Sequence, residues 1–135
     1  MKKPVDWCEL LDWGVDQLGE LQIAGYSYIV QGKYDIALPF YRALVYLQSD
    51  DVYNFQTLGA VYLQLGNSEK ALKYLDIALR MEPEHSITEL NKAKALCDLN
   101  QAEGALKIAK KLRENHDLTI SDTAEAIIMV YDRKR

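Results

Sequence analysis

Residues 58–83 read LGAVYLQLGNSEKALKYLDIALRMEP, and this stretch decides the fold. Upstream and into it, Phe55, Leu58, Val61, Tyr62 and Leu65 fall on one face of a 3.6-residue period, which predicts an amphipathic helix. Ala71, Tyr74, Leu75, Ala78, Leu79 and Met81 do the same over the second half. Between them, Gly66–Asn67–Ser68 supplies a helix stop, a turn and a cap for the next helix, and Glu82–Pro83 closes it. The stretch is therefore a helix, a tight turn and a second helix running back along the first.

The same pattern recurs at a spacing of 34 residues. AGYSYIVQGKYDIALPFYRALVYL precedes it by one step, and five columns align: Gly25, Gly59, Ala93; Tyr28, Tyr62, Leu96; Gly32, Gly66, Asn100; Ala37, Ala71, Ala105; Leu44, Ala78, Leu112. Small residues recur where helices must approach closely, and large apolar ones where they interlock. This period and these positions resemble the tetratricopeptide repeat, a helix–turn–helix unit that stacks into a superhelix. The resemblance implies an all-α superhelix occupying residues 1–135 as one domain. Its expected units are 18–51, 52–85 and 86–119, with a leading helix within 1–17 and a trailing helix within 120–135. That makes eight helices. The third unit is the most altered: Asn100 replaces the turn glycine, and Glu89 and Lys92 stand where large apolar side chains are expected. Asp6 with Glu9 reads as a capping box for a leading helix carrying Trp7, Leu10, Leu11 and Trp13. Ser121 or Asp122 is expected to cap the trailing helix, with Ile127, Ile128, Val130 and Tyr131 along it. Pro39 falls inside the second helix of the first unit, where it removes a hydrogen bond; a bend on the outer side is the simpler reading.

Composition narrows the function. The chain has 135 residues, 49% of them hydrophobic, with three prolines, enough for a core without metals or disulfides. Sixteen Lys and Arg against twenty Asp and Glu give a net charge of −4, opposite to the basic face of a nucleic-acid binder. The excess lies before Ser68, where four basic residues meet eight acidic ones. No apolar run approaches the roughly 20 residues that span a bilayer, so stable membrane insertion is not expected. Asp6 and Glu9 interrupt the region a signal peptide would need, which points to the cytoplasm. His85 and His116 are expected in loops, Cys8 and Cys97 on helix faces as small hydrophobes. No phosphate loop and no CxxC or HExxH metal spacing is present. The expectation is a non-enzyme with no catalytic residues, no metal and no cofactor. The basic runs Lys110–Lys111–Leu112–Arg113 and Arg133–Lys134–Arg135 sit at helix ends, where the macrodipole favours cations.

In proteins of this repeat the first helix of each pair lines a concave groove. Counting from the glycine column, the resemblance turns inward Gly19, Gln22, Tyr26, Ile29 and Val30, then Tyr53, Gln56, Ala60, Leu63 and Gln64, then Ile87, Leu90, Lys94, Cys97 and Asp98; of these, all but Gly19, Ile87, Cys97 and Asp98 are assigned to the binding groove. Repeat proteins that grip acidic C-termini clamp the carboxylate with cations. The matching places here, Gln22, Tyr26, Thr57, Ile87 and Asn91, carry none. The remaining texture is similar to the small tetratricopeptide chaperones of bacterial type III secretion. That resemblance implies a protein client, a secreted translocator or needle subunit, held by an apolar segment in the groove. Tyr26 matches an aromatic groove position of the translocator chaperones, whereas Gln22 and Ile29 depart from it, so the needle-type client stays open. A general interaction scaffold unlinked to secretion is the alternative. Trp7 and Trp13 serve either a homodimer contact through the leading helix or a cap on the first repeat.

Overall fold

The computed structural model describes residues 6–132, the Trp7 side chain excepted. Arg133–Lys134–Arg135 lie outside the described residues. Eight helices follow one another: α1 (Trp7–Leu10), α2 (Val15–Val30), α3 (Tyr34–Leu47), α4 (Val52–Gln64), α5 (Ser68–Met81), α6 (Ser86–Asp98), α7 (Ala102–Leu112) and α8 (Leu118–Tyr131). Each helix packs on the next from α2 onward, and α4 additionally meets α6, as α6 meets α8. The architecture is all-helical, three helix pairs between one short leading turn and one trailing helix.

The turns form for the reasons the sequence states. Gly32 and Gly66 take φ of +73° and +81°, the left-handed region that ends a helix and reverses the chain. Asn100, their counterpart in the third unit, adopts φ +59° there, which its short polar side chain tolerates. Asn67 caps α5 by accepting a hydrogen bond from the Lys70 amide at 3.2 Å, and Asp51 caps α4 through the Tyr53 amide at 3.0 Å.

Both ends differ from the sequence reading. Asp6 does cap, accepting from the amides of Cys8 and Glu9 at 3.0 and 3.1 Å. The helix it opens, however, stops after Leu10. Asp12 turns to φ +54°, so Leu11 and Trp13 leave the helix and α2 starts already at Val15. The short α1 packs on α3, with the Cys8 thiol donating to the Leu47 carbonyl at 2.6 Å. At the other end Asp117, not Ser121 or Asp122, caps α8 by accepting from the Thr119 amide at 2.9 Å. Ile127 and Ile128 of α8 are buried as expected, whereas Val130 and Tyr131 stay exposed. Helix α3 runs through Pro39, which is exposed and has no amide hydrogen to give to the carbonyl of Asp35.

Two apolar clusters hold the stack. Tyr41, Leu44, Leu58, Leu75 and Ala78 centre the first, Leu90, Ala93, Leu96, Ala105, Ala109 and Leu112 the second, which α8 completes with Ile120, Ala124, Ile127 and Ile128. The polar substitutions of the third unit are absorbed by pairing. Glu89 is buried and accepts from Lys111 Nζ at 2.9 Å, which satisfies a carboxylate that would otherwise be costly to desolvate. Lys92 pairs with Asp76 at 2.8 Å. Lys110 reaches Asp132 at 3.3 Å and Arg113 reaches Glu114 at 3.9 Å, so each cation of the 110–113 run has an acidic neighbour within the chain.

Candidate functional site

A groove of about 390 Å³ opens between the first helices of the three pairs. Tyr26 and Ile29 of α2 and Tyr34 of α3 form one wall. Tyr53, Gln56, Thr57, Ala60, Val61 and Gln64 of α4 form its floor. His85, Ile87, Thr88 and Asn91 at the start of α6 form the other wall. Among the described residues no Asp, Glu, Lys or Arg lines it. Tyr26 is 54% exposed and Ile87 52%, unusual for large apolar groups facing a concavity.

Six of the eleven residues assigned from the sequence meet here: Tyr26, Ile29, Tyr53, Gln56, Ala60 and Gln64. The other five lie elsewhere, each for a visible reason. Gln22 is held by its neighbours: its amide nitrogen lies 3.0 Å from Gln48 Oε1, 3.1 Å from Asn54 Oδ1 and 3.2 Å from Asp51 Oδ2. That polar node ties α2 to α4 around the fully buried Asn54. Leu63 packs against the first apolar cluster, and Leu90 is buried in the second. Val30 and Lys94 are exposed but do not face the groove. The reason for Leu90 is α8, which packs on α6 and joins it in the second cluster. Only the first turns of α6 remain to line the concavity.

Tyr34, Thr57, Val61, His85, Thr88 and Asn91 line the groove without having been assigned to it, and Ile87, which the count from the glycine column turns inward, joins them. Thr57, Ile87 and Asn91 had a signal, since they occupy the places compared with the carboxylate clamp. His85 is not a free loop residue: its Nδ1 lies 2.6 Å from Thr88 Oγ1, a buried hydroxyl, at the start of α6. Gln56 is partly engaged as well, donating from Nε2 to Glu82 Oε2 at 3.2 Å. Burial pushes the thiols of Cys8 and Cys97 above their ordinary pKa, so neither is a thiolate at neutral pH.

Beneath the groove lies one polar group that the fold leaves unsatisfied. Tyr41 is fully buried and its hydroxyl makes no well-formed hydrogen bond among the described residues, although the Tyr53 phenol stands close enough to interact with it. The phenol of Tyr53 crosses it edge-on, ring centroids 6.4 Å apart. Burial first, then the neighbouring Tyr53 and Tyr26, raise the Tyr41 pKa well above its ordinary 10. The unfolded chain therefore ionises this phenol first. The stability it carries is intact below pH 10 and is lost as pH climbs toward the raised folded value. Tyr41→Phe is expected to raise stability at neutral pH by about 1 kcal/mol, because it removes an unsatisfied buried group. It should also flatten the alkaline loss. Urea midpoints of both proteins against pH measure this; a less stable phenylalanine variant at neutral pH contradicts it.

The class follows from this geometry: a stack of antiparallel helix pairs with a concave groove that no charged side chain lines among the described residues. A family model described as tetratricopeptide repeat matches residues 53–85. Superkiller protein 3 of Saccharomyces cerevisiae is 23% identical over 91 residues, which are 67% of this chain but only 6% of that protein. Among solved structures, PcrH in complex with the chaperone binding region of PopD superposes with a TM-score of 0.79 at 23% identity, covering 88% of this chain and 93% of that one; PcrH is from Pseudomonas aeruginosa. A type III secretion complex from Aeromonas hydrophila gives 0.78 at 21% identity, covering 96% and 87%. The Yersinia enterocolitica secretion chaperone SycD, in complex with a peptide of the translocator YopD, gives 0.73 at 23% identity, covering 87% and 96%. The chain shares the fold of these chaperones. No helix among the described residues is long and apolar enough to cross a membrane.

Proposed function

We propose that this protein is a cytoplasmic, non-enzymatic chaperone that holds an apolar segment of a type III secretion substrate, a translocator or a needle subunit, in the groove between α2, α4 and α6. One observation carries the reading: the groove presents exposed aromatic and aliphatic side chains, and no charged residue lines it. Such a surface suits an apolar segment and leaves an acidic one without a counter-ion. PcrH and SycD, which share the fold, are seen in complex with segments of PopD and YopD, and this supports the same use of the groove here. The whole chain acts as one module, with units 18–51, 52–85 and 86–119 between its ends. Tyr26, Ile29, Tyr53, Ala60 and Ile87 are the anchors. Gln64 and Asn91, which have amide groups at the groove, hydrogen-bond the client backbone. Gln22, Leu63 and Leu90 support the groove from within the fold.

The test is co-expression with candidate export substrates of the same genome, followed by purification and mass spectrometry of what stays bound. A stoichiometric secreted protein, lost when Ala60→Glu puts a charge on the groove floor, is the expected result. A folded partner retained by the Ala60→Glu protein overturns the chaperone reading in favour of a general scaffold.

A further inference from the structure

A second recess, of about 170 Å³, lies between α3 and α5 and shares no lining residue with the groove. It is lined by Arg42 and Tyr46 of α3, Tyr62 of α4, and Lys70, Lys73 and Tyr74 of α5. Each of these six carries an N–H or O–H donor and none is an acid. This stands out in a chain with twenty Asp and Glu, and most of all before Ser68, where Arg42 is one of only four cations.

The two lysines sit over rings rather than against carboxylates. Lys70 Nζ sits 5.6 Å from the centre of the Tyr62 ring and Lys73 Nζ 5.3 Å from that of Tyr74. The two rings stack, centroids 5.7 Å apart and 10° from parallel. Arg42, Lys70 and Lys73 enter no ion pair among the described residues, unlike Lys92, Lys110, Lys111 and Arg113. Asp76, one turn beyond Lys73, is taken by Lys92, and Glu69 does not line the recess. Lys70 also lies in the first turn of α5, where the macrodipole disfavours a cation and favours an anion. Tyr46, 68% exposed, stands beside the cations as an apolar wall.

We propose that the recess between α3 and α5 binds an acidic segment of a partner protein, with Arg42, Lys70 and Lys73 receiving its carboxylates and Tyr46 covering their stems. The volume suits one carboxylate side chain at a time, since a water takes roughly 30 Å³. The lining favours carboxylates in a row over free phosphate: its donors are side chains spread over three helices, unlike the converging backbone amides of a phosphate nest. The site does not depend on the groove reading, because the two share no residue.

Titration of the isotope-labelled full chain with hexaglutamate, followed by amide shifts, tests this. Saturable shifts are expected at Arg42–Tyr46 and Lys70–Tyr74, weakening as salt is raised. In the triple variant Arg42→Gln, Lys70→Gln, Lys73→Gln the dissociation constant should rise roughly tenfold or more. Unchanged shifts at Ala60 and Ile87 show that the variant is folded. Equal binding by the triple variant overturns the proposal. So does inorganic phosphate saturating the same residues as tightly as the peptide, or peptide shifts confined to Tyr26, Ala60 and Ile87.

Discussion

Gly59→Ala should destabilise this protein, yet stabilise it once Leu75 has been replaced by alanine. A Cβ at Gly59 would stand 2.6 Å from Leu75 Cδ2, 2.7 Å from its Cγ and 3.2 Å from its backbone nitrogen. Leu75 is fully buried and cannot swing away. Overpacking of this kind costs about 1–3 kcal/mol, while alanine in place of a helical glycine recovers about 1 kcal/mol. The net expectation is a loss of up to about 2 kcal/mol. Leu75→Ala alone opens a cavity in the first cluster and should cost about 2–5 kcal/mol. In that background the two contacts to the leucine side chain are gone and the 3.2 Å approach to the backbone nitrogen remains, so Gly59→Ala should gain up to about 1 kcal/mol. Urea unfolding of the four proteins gives the coupling directly, expected at about 1–3 kcal/mol. Additive effects, with Gly59→Ala equally harmful in both backgrounds, contradict the contact.

The chain already contains the other solution to this contact. Sixteen residues beyond each member of the glycine column stand Tyr41, Leu75 and Ala109. Gly25 faces the Tyr41 ring, where a Cβ would meet Cε2 at 2.9 Å, and Gly59 faces Leu75. In the third unit Ala93 is paired in sequence with Ala109, and both are fully buried in the second cluster. A large residue on the second helix goes with glycine on the first, and a small one with alanine. The 34-residue period was legible because such contacts repeat; their internal compensation needed the coordinates.

What the sequence could not show lies where repetition stops. Counting from the glycine column treats all units alike, but the groove does not. It placed Tyr26, Ile29, Tyr53, Gln56, Ala60 and Gln64 together because α2 and α4 both have a following helix pair. It also put Leu90 there, whereas α6 is followed by α8 and Leu90 is buried in the cluster the two share. Gln22 reads as an open amide in sequence; only the fold brings Gln48, Asp51 and Asn54 to its nitrogen. Leu11 and Trp13 continue a helical pattern that the left-handed Asp12 ends.

Tyr26→Ala combined with Ile87→Ala should weaken binding of an apolar client segment roughly a hundredfold, about 2–3 kcal/mol, without lowering thermal stability. Fully burying a large apolar side chain is worth about 1.5–3 kcal/mol, and each of these has about half of that left to gain, because the fold already covers the rest. They come from opposite walls, so a segment lying across the floor at Ala60 touches both. The controls sharpen the reading. Lys94→Ala, exposed and outside the groove, should leave affinity unchanged. Leu63→Ala and Leu90→Ala remove groups packed into the two clusters and should lower the melting temperature, so lost binding there reports the fold rather than contact. Isothermal titration of a client peptide against the four variants and the parent separates these effects. If the Tyr26, Ile87 double variant binds as the parent does, the client does not lie between α2 and α6. The groove's exposed tyrosine and isoleucine would then be faces of a scaffold whose partner docks elsewhere.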